Sequence, residues 1–272
     1  VGMDYFELAQ ALYEYTLDSL QQLKTAGVDV GMVQVGNETN GGKMAGVSRF
    51  DYYVGLLNQA GKAIKKVYPK ALIAVHFANP EKGNYSSYAS KLEYYSIDYD
   101  VFASSYYPDW HGTLENLASE LSGVAEKYNK KVMVAETAYP YTFDNADSQG
   151  NNIGSLNDMS FSGYDISVSG QEEAILAVMD AVDAVNNQFG TSGYGLGGFY
   201  WEPTWIGTNE SDCAAYGTGF ASAESGNYEL LYNSSVSEYS LTNCCSSWDN
   251  MALFDSNGKA LSSLQLFNHI GQ

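Results

Sequence analysis

Two glutamates stand where a chain rarely leaves a charge: Glu38 closes the apolar run VQVGNE, and Glu136 closes VMVAE. A carboxylate partly withdrawn from water at the end of a buried strand can be tuned as an acid, a base or a nucleophile. Two such groups facing one another are the machinery for cleaving a glycosidic bond. A lone glutamate at a strand end more often caps a helix or joins an ion pair. Two of them, each flanked by Asn, Thr, Tyr or Trp, favour chemistry instead. The other apolar runs end in the same style, in His76 with Asn79, in Ser104 through Tyr107 with Trp110 and His111, and in Trp201-Glu202. Tyr139 follows Glu136 closely.

Regular elements must position these groups, and the hydrophobic pattern predicts them. Residues 4–27 carry Phe6, Ala9, Leu12, Tyr13, Thr16, Leu20 and Leu23 at helical spacing and stop at Gly27, a C-terminal cap. A strand over 29–38 follows, then a helix over 50–69 ended by Tyr68-Pro69, and a strand over 70–79. The alternation continues with a helix at 88–97, a strand at 99–110, a helix at 114–129 and a strand at 130–141. After a polar loop come a helix at 170–190 and a fifth strand at 196–205.

Apolar strands alternating with amphipathic helices imply an α/β fold with a parallel sheet, because each parallel pair needs a crossover and the helix supplies it. An open doubly wound sheet and a closed (β/α)8 TIM barrel both satisfy that pattern. The open form would show a glycine-rich phosphate turn opening a helix, whereas GLGG at 195–198 precedes a strand. Polar residues at every strand C-terminus point to the barrel, where those ends share one mouth.

Composition narrows the partners. The chain has 272 residues, long enough for one large domain, with no linker-like stretch. Its 32 acidic residues against 13 basic ones, Arg49 being the sole arginine, repel phosphate and anionic membrane, so nucleic acid is not an expected partner. The 23 tyrosines offer flat apolar faces with polar rims, as sugar stacking requires, though core packing also uses them. No apolar run reaches membrane-helix length, and no signal peptide opens the chain. Cys213, Cys244 and Cys245 are an odd number; the adjacent pair rarely bridges to itself, and either member is available to pair with Cys213 if the protein is exported.

Five segments, VQVGNETNGG, SSYYPDWHGT, ETAYPYT, FYWEPTWI and SSWDNMALFDSNGKALSS, occur in an order that resembles the endo-β-1,4-galactanases of glycoside hydrolase family 53 over essentially the whole chain. The resemblance implies a retaining enzyme of the clan in which Asn-Glu ends strand four and Glu ends strand seven. Glu38 is then the general acid/base, kept protonated by burial and by the charge of Glu136, and Glu136 is the nucleophile. The carboxyl groups should lie about 5 Å apart. Asn37 inherits the contact to the sugar 2-hydroxyl, and Tyr106 or Tyr107 a hydrogen bond to Glu136. Trp201 resembles the platform beneath the sugar, Trp110 a neighbouring subsite wall and Trp248 a cleft residue. His76, Asn79, His111 and Tyr139 complete the binding set. The substrate implied is β-1,4-galactan, a polymer too large to enter a cell, so secretion is expected, and the chemistry requires no cofactor.

Asn145, Asp147, Gln149 and Asn151 stand at alternate positions, a spacing of oxygen ligands that suits a structural calcium ion. Some bacterial members of the resembling family carry a calcium loop in this place, with more acidic residues and a histidine; here Asp147 and Asp144 bring the charge. Counting back from Asn-Glu, residues 1–272 read as strands four to eight of the catalytic barrel, with the first three βα units absent from this chain. The family's early arginine then has no counterpart, since Arg49 follows strand four. A same-clan glycanase acting on mannan or cellulose, and a non-catalytic carbohydrate-binding remnant, are the rival readings. Retention of both glutamates argues against the second.

Overall fold

The computed structural model describes residues 2–147, 150–160, 163–190, 193–207, 230–233, 238–241 and 246–270. Helices α1 (Tyr5–Thr25), α2 (Phe50–Val67), α3 (Tyr85–Tyr94), α4 (Leu114–Tyr128) and α5 (Val168–Phe189) alternate with strands β1 (Met32–Val35), β2 (Leu72–Phe77), β3 (Val101–Ser105), β4 (Lys131–Thr137) and β5 (Gly195–Tyr200). The five strands form one sheet in sequential order. β1 and β2 pair in parallel from Met32↔Leu72 to Val35↔Val75, and β2 and β3 from Ala74↔Val101 to Phe77↔Ser104. The Lys131 N–H bonds the Asp100 carbonyl at 3.1 Å and the Val132 N–H bonds the Tyr194 carbonyl at 2.7 Å, so β4 begins beside the beginnings of β3 and β5. The expected α/β chain with parallel strands is therefore present. An antiparallel pair, β6 (Leu230–Asn233) and β7 (Glu238–Leu241), was not foreseen.

The strands are shorter than the apolar runs implied: 101–105 replaces 99–110, and 195–200 replaces 196–205. At the ends of β1, β2 and β5 the backbone explains the difference, and after β3 a turn at Tyr107 does. Gly36 (φ 78°), Glu38 (φ 45°), Asn79 (φ 64°) and Glu202 (φ 56°) lie in the left-handed region just past three strand ends, a conformation no ladder residue can hold. Such strain in residues other than glycine persists only where the surroundings over-determine it, and it concentrates at functional positions.

The chain divides into two compact units. The first comprises Val1–Tyr106, Thr113–Ala135 and Ala181–Gly198. Here one face of the sheet packs Ala74, Val101, Ala103, Met133 and Ala135 together with Met32 and Leu72. Small residues alternating with large ones let such layers interdigitate. Phe77 and Phe102 stack at 4.9 Å, with Tyr53 edge-on to Phe77. Helix α1 opens with a capping box, in which Asp4 accepts from the Phe6 and Glu7 amides and Glu7 accepts from Asp4. It ends at Ala26, with Gly27 at φ 80° supplying the left-handed residue read from the sequence.

The second unit comprises Tyr107–Gly112, Glu136–Asp180 and Phe199–Gln272. Tyr107, Ala138, Ile153 and Met251 form its core beneath Trp110, Trp201 and Trp248. Its polar hub is Gln171, fully buried on α5. The Gln171 amide nitrogen donates to the carbonyls of Tyr139 at 2.9 Å and Met251 at 3.2 Å, and its oxygen accepts from the Ser263 hydroxyl at 2.5 Å. Replacing it would orphan several buried groups at once, which costs more than the net worth of one bond. Gln171→Leu should lower unfolding stability by about 2–4 kcal/mol in urea titration. A loss below about 0.5 kcal/mol would mean that the hub is not what holds these segments.

Candidate active site

In the first unit, β1 delivers Asn37 and Glu38, and β2 delivers the residues that fix them. His76 is fully buried. Its Nδ1 lies 2.9 Å from the Gln34 amide nitrogen, 3.1 Å from Asn37 Oδ1 and 3.4 Å from the Glu38 backbone nitrogen. Nε2 hydrogen-bonds the Ser105 hydroxyl at 2.8 Å. Burial pushes the imidazole down to about 4, which favours the neutral ring at neutral pH. The Thr39 N–H donates to the His76 carbonyl at 2.8 Å. Asn40 pairs with both backbone groups of Ala78 at 2.8 and 2.9 Å, tying the loop after β1 to the end of β2. Asn79 accepts from the Asn40 amide at 3.2 Å.

His76 thus sits underneath the Asn37-Glu38 pair and shows no surface to a ligand. Asn37 and Glu38 themselves are exposed. This differs from the burial expected of Glu38: the chain leaves the ladder through positive-φ residues at Gly36 and Glu38. Tyr106 is buried, at 1 % exposure.

In the second unit the end of β4 delivers Glu136, only 6 % exposed. The Tyr107 hydroxyl donates to Glu136 Oε2 at 3.0 Å, which assigns to Tyr107 the bond left open between two tyrosines. The Tyr107 N–H donates in turn to His111 Nδ1 at 3.2 Å, so His111 steadies this loop. Tyr107, Trp110 and Trp248 form a ring cluster with centroids 5.4 to 5.8 Å apart. Trp110 and Trp248 both keep part of their surface exposed. Tyr139 is 1 % exposed and gives its hydroxyl to the Tyr164 carbonyl at 2.8 Å, the bonding of a packing residue. Trp201 bonds the Thr137 carbonyl through its N–H at 2.8 Å, registering the end of β5 against β4.

Two further buried carboxyls lie here, Glu202, which the sequence placed at a strand end without a role, and Asp109, which it did not single out. Glu202 is 7 % exposed, and Asp109 is fully buried. Neither Asp109 oxygen bonds another described residue; burial pushes its carboxyl up to about 7, against only a backbone N–H of its own. Asp109 sits inside SSYYPDWHGT, among residues chosen for their rings, and nothing in its neighbours marks it as buried.

The polar loop after β4 meets residues 246–250. Asp147 Oδ2 accepts from the Ser246 N–H at 2.7 Å, and Asp249 Oδ2 from the Ala146 N–H at 3.1 Å. Asp249 is 3 % exposed, its Oδ1 and Asn151 Oδ1 are buried without partners among the described residues, and burial with the Asp147 charge lifts its carboxyl to about 6. Buried, unpaired oxygens gathered around two acidic groups are the donor set of a hard cation. Asp249, far away in sequence, is absent from the spacing pattern. Asn145 is exposed and accepts from the Asp147 N–H at 3.5 Å, while Gln149 lies outside the described residues, as do the three cysteines.

Comparison with known proteins places these observations. The sequence model of Glycosyl hydrolase family 53 matches residues 1–267. An endo-β-1,4-galactanase of Bacillus subtilis (strain 168) is 44 % identical over 97 % of this chain and 60 % of its own length. An arabinogalactan endo-β-1,4-galactanase of Cellvibrio japonicus is 34 % identical over 75 % of this chain and 55 % of its own. The chain thus spans about three-fifths of these curated relatives. Among solved structures, the GH53 catalytic domain of Ignisphaera aggregans superposes with a TM-score of 0.81 at 30 % identity, covering 100 % of this chain and 67 % of that one. A fungal β-1,4-galactanase structure gives 0.69 at 25 % identity, covering 98 % and 70 %.

Asp109 generates a stability prediction with a definite sign. Its folded value of about 7 stands above the unfolded value near 3.8, so folding favours the protonated form. The penalty is absent below the unfolded value, grows as pH rises towards 7 and is complete above it. Asp109→Asn should therefore raise the melting temperature at pH 8, by up to about 4 kcal/mol of stability, and leave it nearly unchanged at pH 4. Equal effects at both values, read by differential scanning calorimetry, would show that the carboxyl is paired.

Proposed function

Because the chain belongs to glycosyl hydrolase family 53, we propose that it is the catalytic part of an endo-acting galactanase, hydrolysing β-1,4-galactosidic bonds inside galactan or arabinogalactan with retention of configuration. The observation that carries this reading is Glu136, a nearly buried carboxylate at a strand end with a tyrosine hydroxyl aimed at it. A hydrogen bond from a neutral donor stabilises the anion, the form needed for attack.

In this reading Glu136 attacks the anomeric carbon while Glu38 donates a proton to the departing oxygen. Water, deprotonated by Glu38, then releases the galactosyl group. The mechanism requires the two carboxyl groups roughly 5 Å apart, within an eight-stranded barrel of which β1 to β5 would be part. Asn37, positioned by His76, holds the 2-hydroxyl. Trp201, Trp110 and Trp248, which keep exposed ring surface, stack against sugar faces. His76, His111 and Tyr139, being buried and hydrogen-bonded, serve by fixing the groups that touch substrate. The names of the Bacillus and Cellvibrio relatives support galactan over other β-1,4-polymers. Action on a polymer favours an extracellular setting. The net charge of −19 disfavours nucleic acid, and no described helix is long and apolar enough to cross a membrane.

The chemistry requires no cofactor. For a structural calcium ion, the residues that fit are Asp147, Asn151 and Asp249; Asn151 Oδ1 and Asp249 Oδ1 are buried without partners among the described residues, and Asp147 brings a second charge. The ion would supply charge balance and bind the loop after β4 to residues 246–250.

Two outcomes test this reading. The full-length protein should release reducing sugar from linear β-1,4-galactan and not from mannan or carboxymethylcellulose, and Glu136→Gln should lower the rate by at least about 10³-fold. Equal cleavage of mannan or cellulose would move the substrate assignment. Millimolar calcium should raise the melting temperature and EDTA lower it, with Asp249→Asn abolishing the response. A response unchanged in that variant would place any calcium elsewhere.

A further inference from the structure

Trp110 keeps part of its ring exposed, and its pose is set by a short loop that takes no part in the chemistry. The indole N–H donates to the Asp158 carbonyl at 3.2 Å. Beside it the Ser160 N–H donates to the Asp109 carbonyl at 2.7 Å, and Met159 packs on the same apolar core as Trp110. Residues 158 to 160 therefore grip residues 109 and 110 together, one through its backbone and the other through its side chain.

Such a grip is only as firm as the loop that supplies it, and this loop contains just the single 3-10 turn Leu156–Asp158. The Asp158 side chain stiffens it. Its Oδ2 accepts from the Gly154 N–H at 3.1 Å and from the Ser155 hydroxyl at 3.0 Å, while the Ser155 oxygen accepts from the Asn157 N–H at 3.3 Å. The Asp158 N–H closes the turn on the Ser155 carbonyl at 3.1 Å. A serine and an acid three residues apart thus satisfy the turn reciprocally, much as a capping box does at a helix start. Asp158 is exposed, so each bond is modest alone; jointly they fix the direction of the carbonyl that holds the indole.

The other end of the loop is anchored as well. The Asn152 N–H donates to the Ser247 carbonyl at 2.9 Å, and the Asn250 carboxamide donates to the Ile153 carbonyl at 2.8 Å. These partners flank Trp248, whose ring meets Trp110 edge-on with centroids 5.8 Å apart. Residues 152–160 form a strut between the two tryptophans. A ring held at one angle stacks on a sugar without first losing rotamer freedom, whereas a loose ring must be ordered at the expense of affinity.

We propose that Asp158 is a positioning residue for substrate binding: its carboxylate stiffens the turn at 154–158, whose last carbonyl then presents the Trp110 ring at a fixed angle beside Trp248. This rests on the reading of Trp110 as a sugar platform. Asp158 acts through the indole, and affinity for a galactan chain depends on it. A platform binds the sugar equally in the ground state and the transition state, so a loosened ring raises KM and leaves kcat nearly unchanged.

The test measures hydrolysis of β-1,4-galactan by the full-length protein and its variants Asp158→Ala, Asp158→Asn, Trp110→Phe, Trp110→Ala and the double variant Asp158→Ala/Trp110→Phe, with melting temperatures as a folding control. Phenylalanine keeps a flat ring but lacks the N–H. Asp158→Ala should raise KM by roughly fivefold with kcat within about twofold, and Asp158→Asn, whose carboxamide oxygen can accept both bonds, should restore most of it. Trp110→Phe should raise KM comparably, and the double variant should lie within about twofold of the worse single one, because both changes cut the same link. Effects that multiply, a loss in kcat in place of KM, an unchanged KM in Asp158→Ala, or an asparagine variant as weak as the alanine one would overturn the proposal. Trp110→Ala separates the inference from the reading beneath it. A wild-type KM in that variant would overturn the platform reading and the inference with it, whereas a raised KM beside an unaffected Asp158→Ala would overturn only the inference.

Discussion

The account hangs on one hydrogen bond, from the Tyr107 hydroxyl to the carboxylate of Glu136 at 3.0 Å. A carboxylate only 6 % exposed is costly unless donors replace the water it has lost. Much of the second unit works to keep that donor in place. His111 accepts the Tyr107 backbone N–H, Trp110 and Trp248 pack around its ring, and Trp110 is itself tied to the Asp158 carbonyl at 3.2 Å. Behind them Gln171 joins residues 139, 251 and 263 across long sequence separations. The aromatic cluster therefore fixes the angle of a phenol, and in the proposed reading it also presents ring faces to a sugar.

The first unit solves the same problem differently. Its Asn37-Glu38 pair is exposed, and precision comes from below, through a buried His76 that bonds β1 through one ring nitrogen and β3 through the other. Burial favours its neutral ring, so it works as a fixed part of the scaffold. The left-handed turns at Glu38, Asn79 and Glu202 follow from this arrangement: each strand ends abruptly, and the next residue turns its side chain away from the ladder. The strain at these positions is small against the burial that surrounds them.

What could be read from the sequence is what periodicity and strand ends encode. Alternating helices and strands gave the α/β class, and the glutamates closing VQVGNE and VMVAE gave the residues on which the proposed chemistry rests. The boundaries were misjudged because an apolar run does not reveal where a turn interrupts it; FASSYYPDW reads as one strand, yet the sheet stops at Ser105 and the Tyr107 carbonyl accepts the Trp110 and His111 N–H groups in a turn. The supporting groups were harder still. Gln171 looks like one more polar residue on a helix, Asp249 contributes to its cluster from a hundred residues away, and Asp109 is buried only because other segments close over it. Such residues are defined by tertiary contacts, and local pattern carries no trace of them. The β6–β7 pair falls in the same category, lying in a stretch rich in Ser and Asn with weak alternation.

The most direct measurement of the central claim is the covalent intermediate. The protein would be treated with a 2-deoxy-2-fluoro β-galactobiosyl fluoride, which forms the glycosyl-enzyme readily and releases it slowly, and its intact mass and peptide map recorded. The account predicts one fluorogalactobiosyl group added per chain, carried by the peptide containing Glu136 and absent from Glu136→Gln. Label on Glu202 or Glu38, or galactan hydrolysis with no trapped adduct, would contradict it.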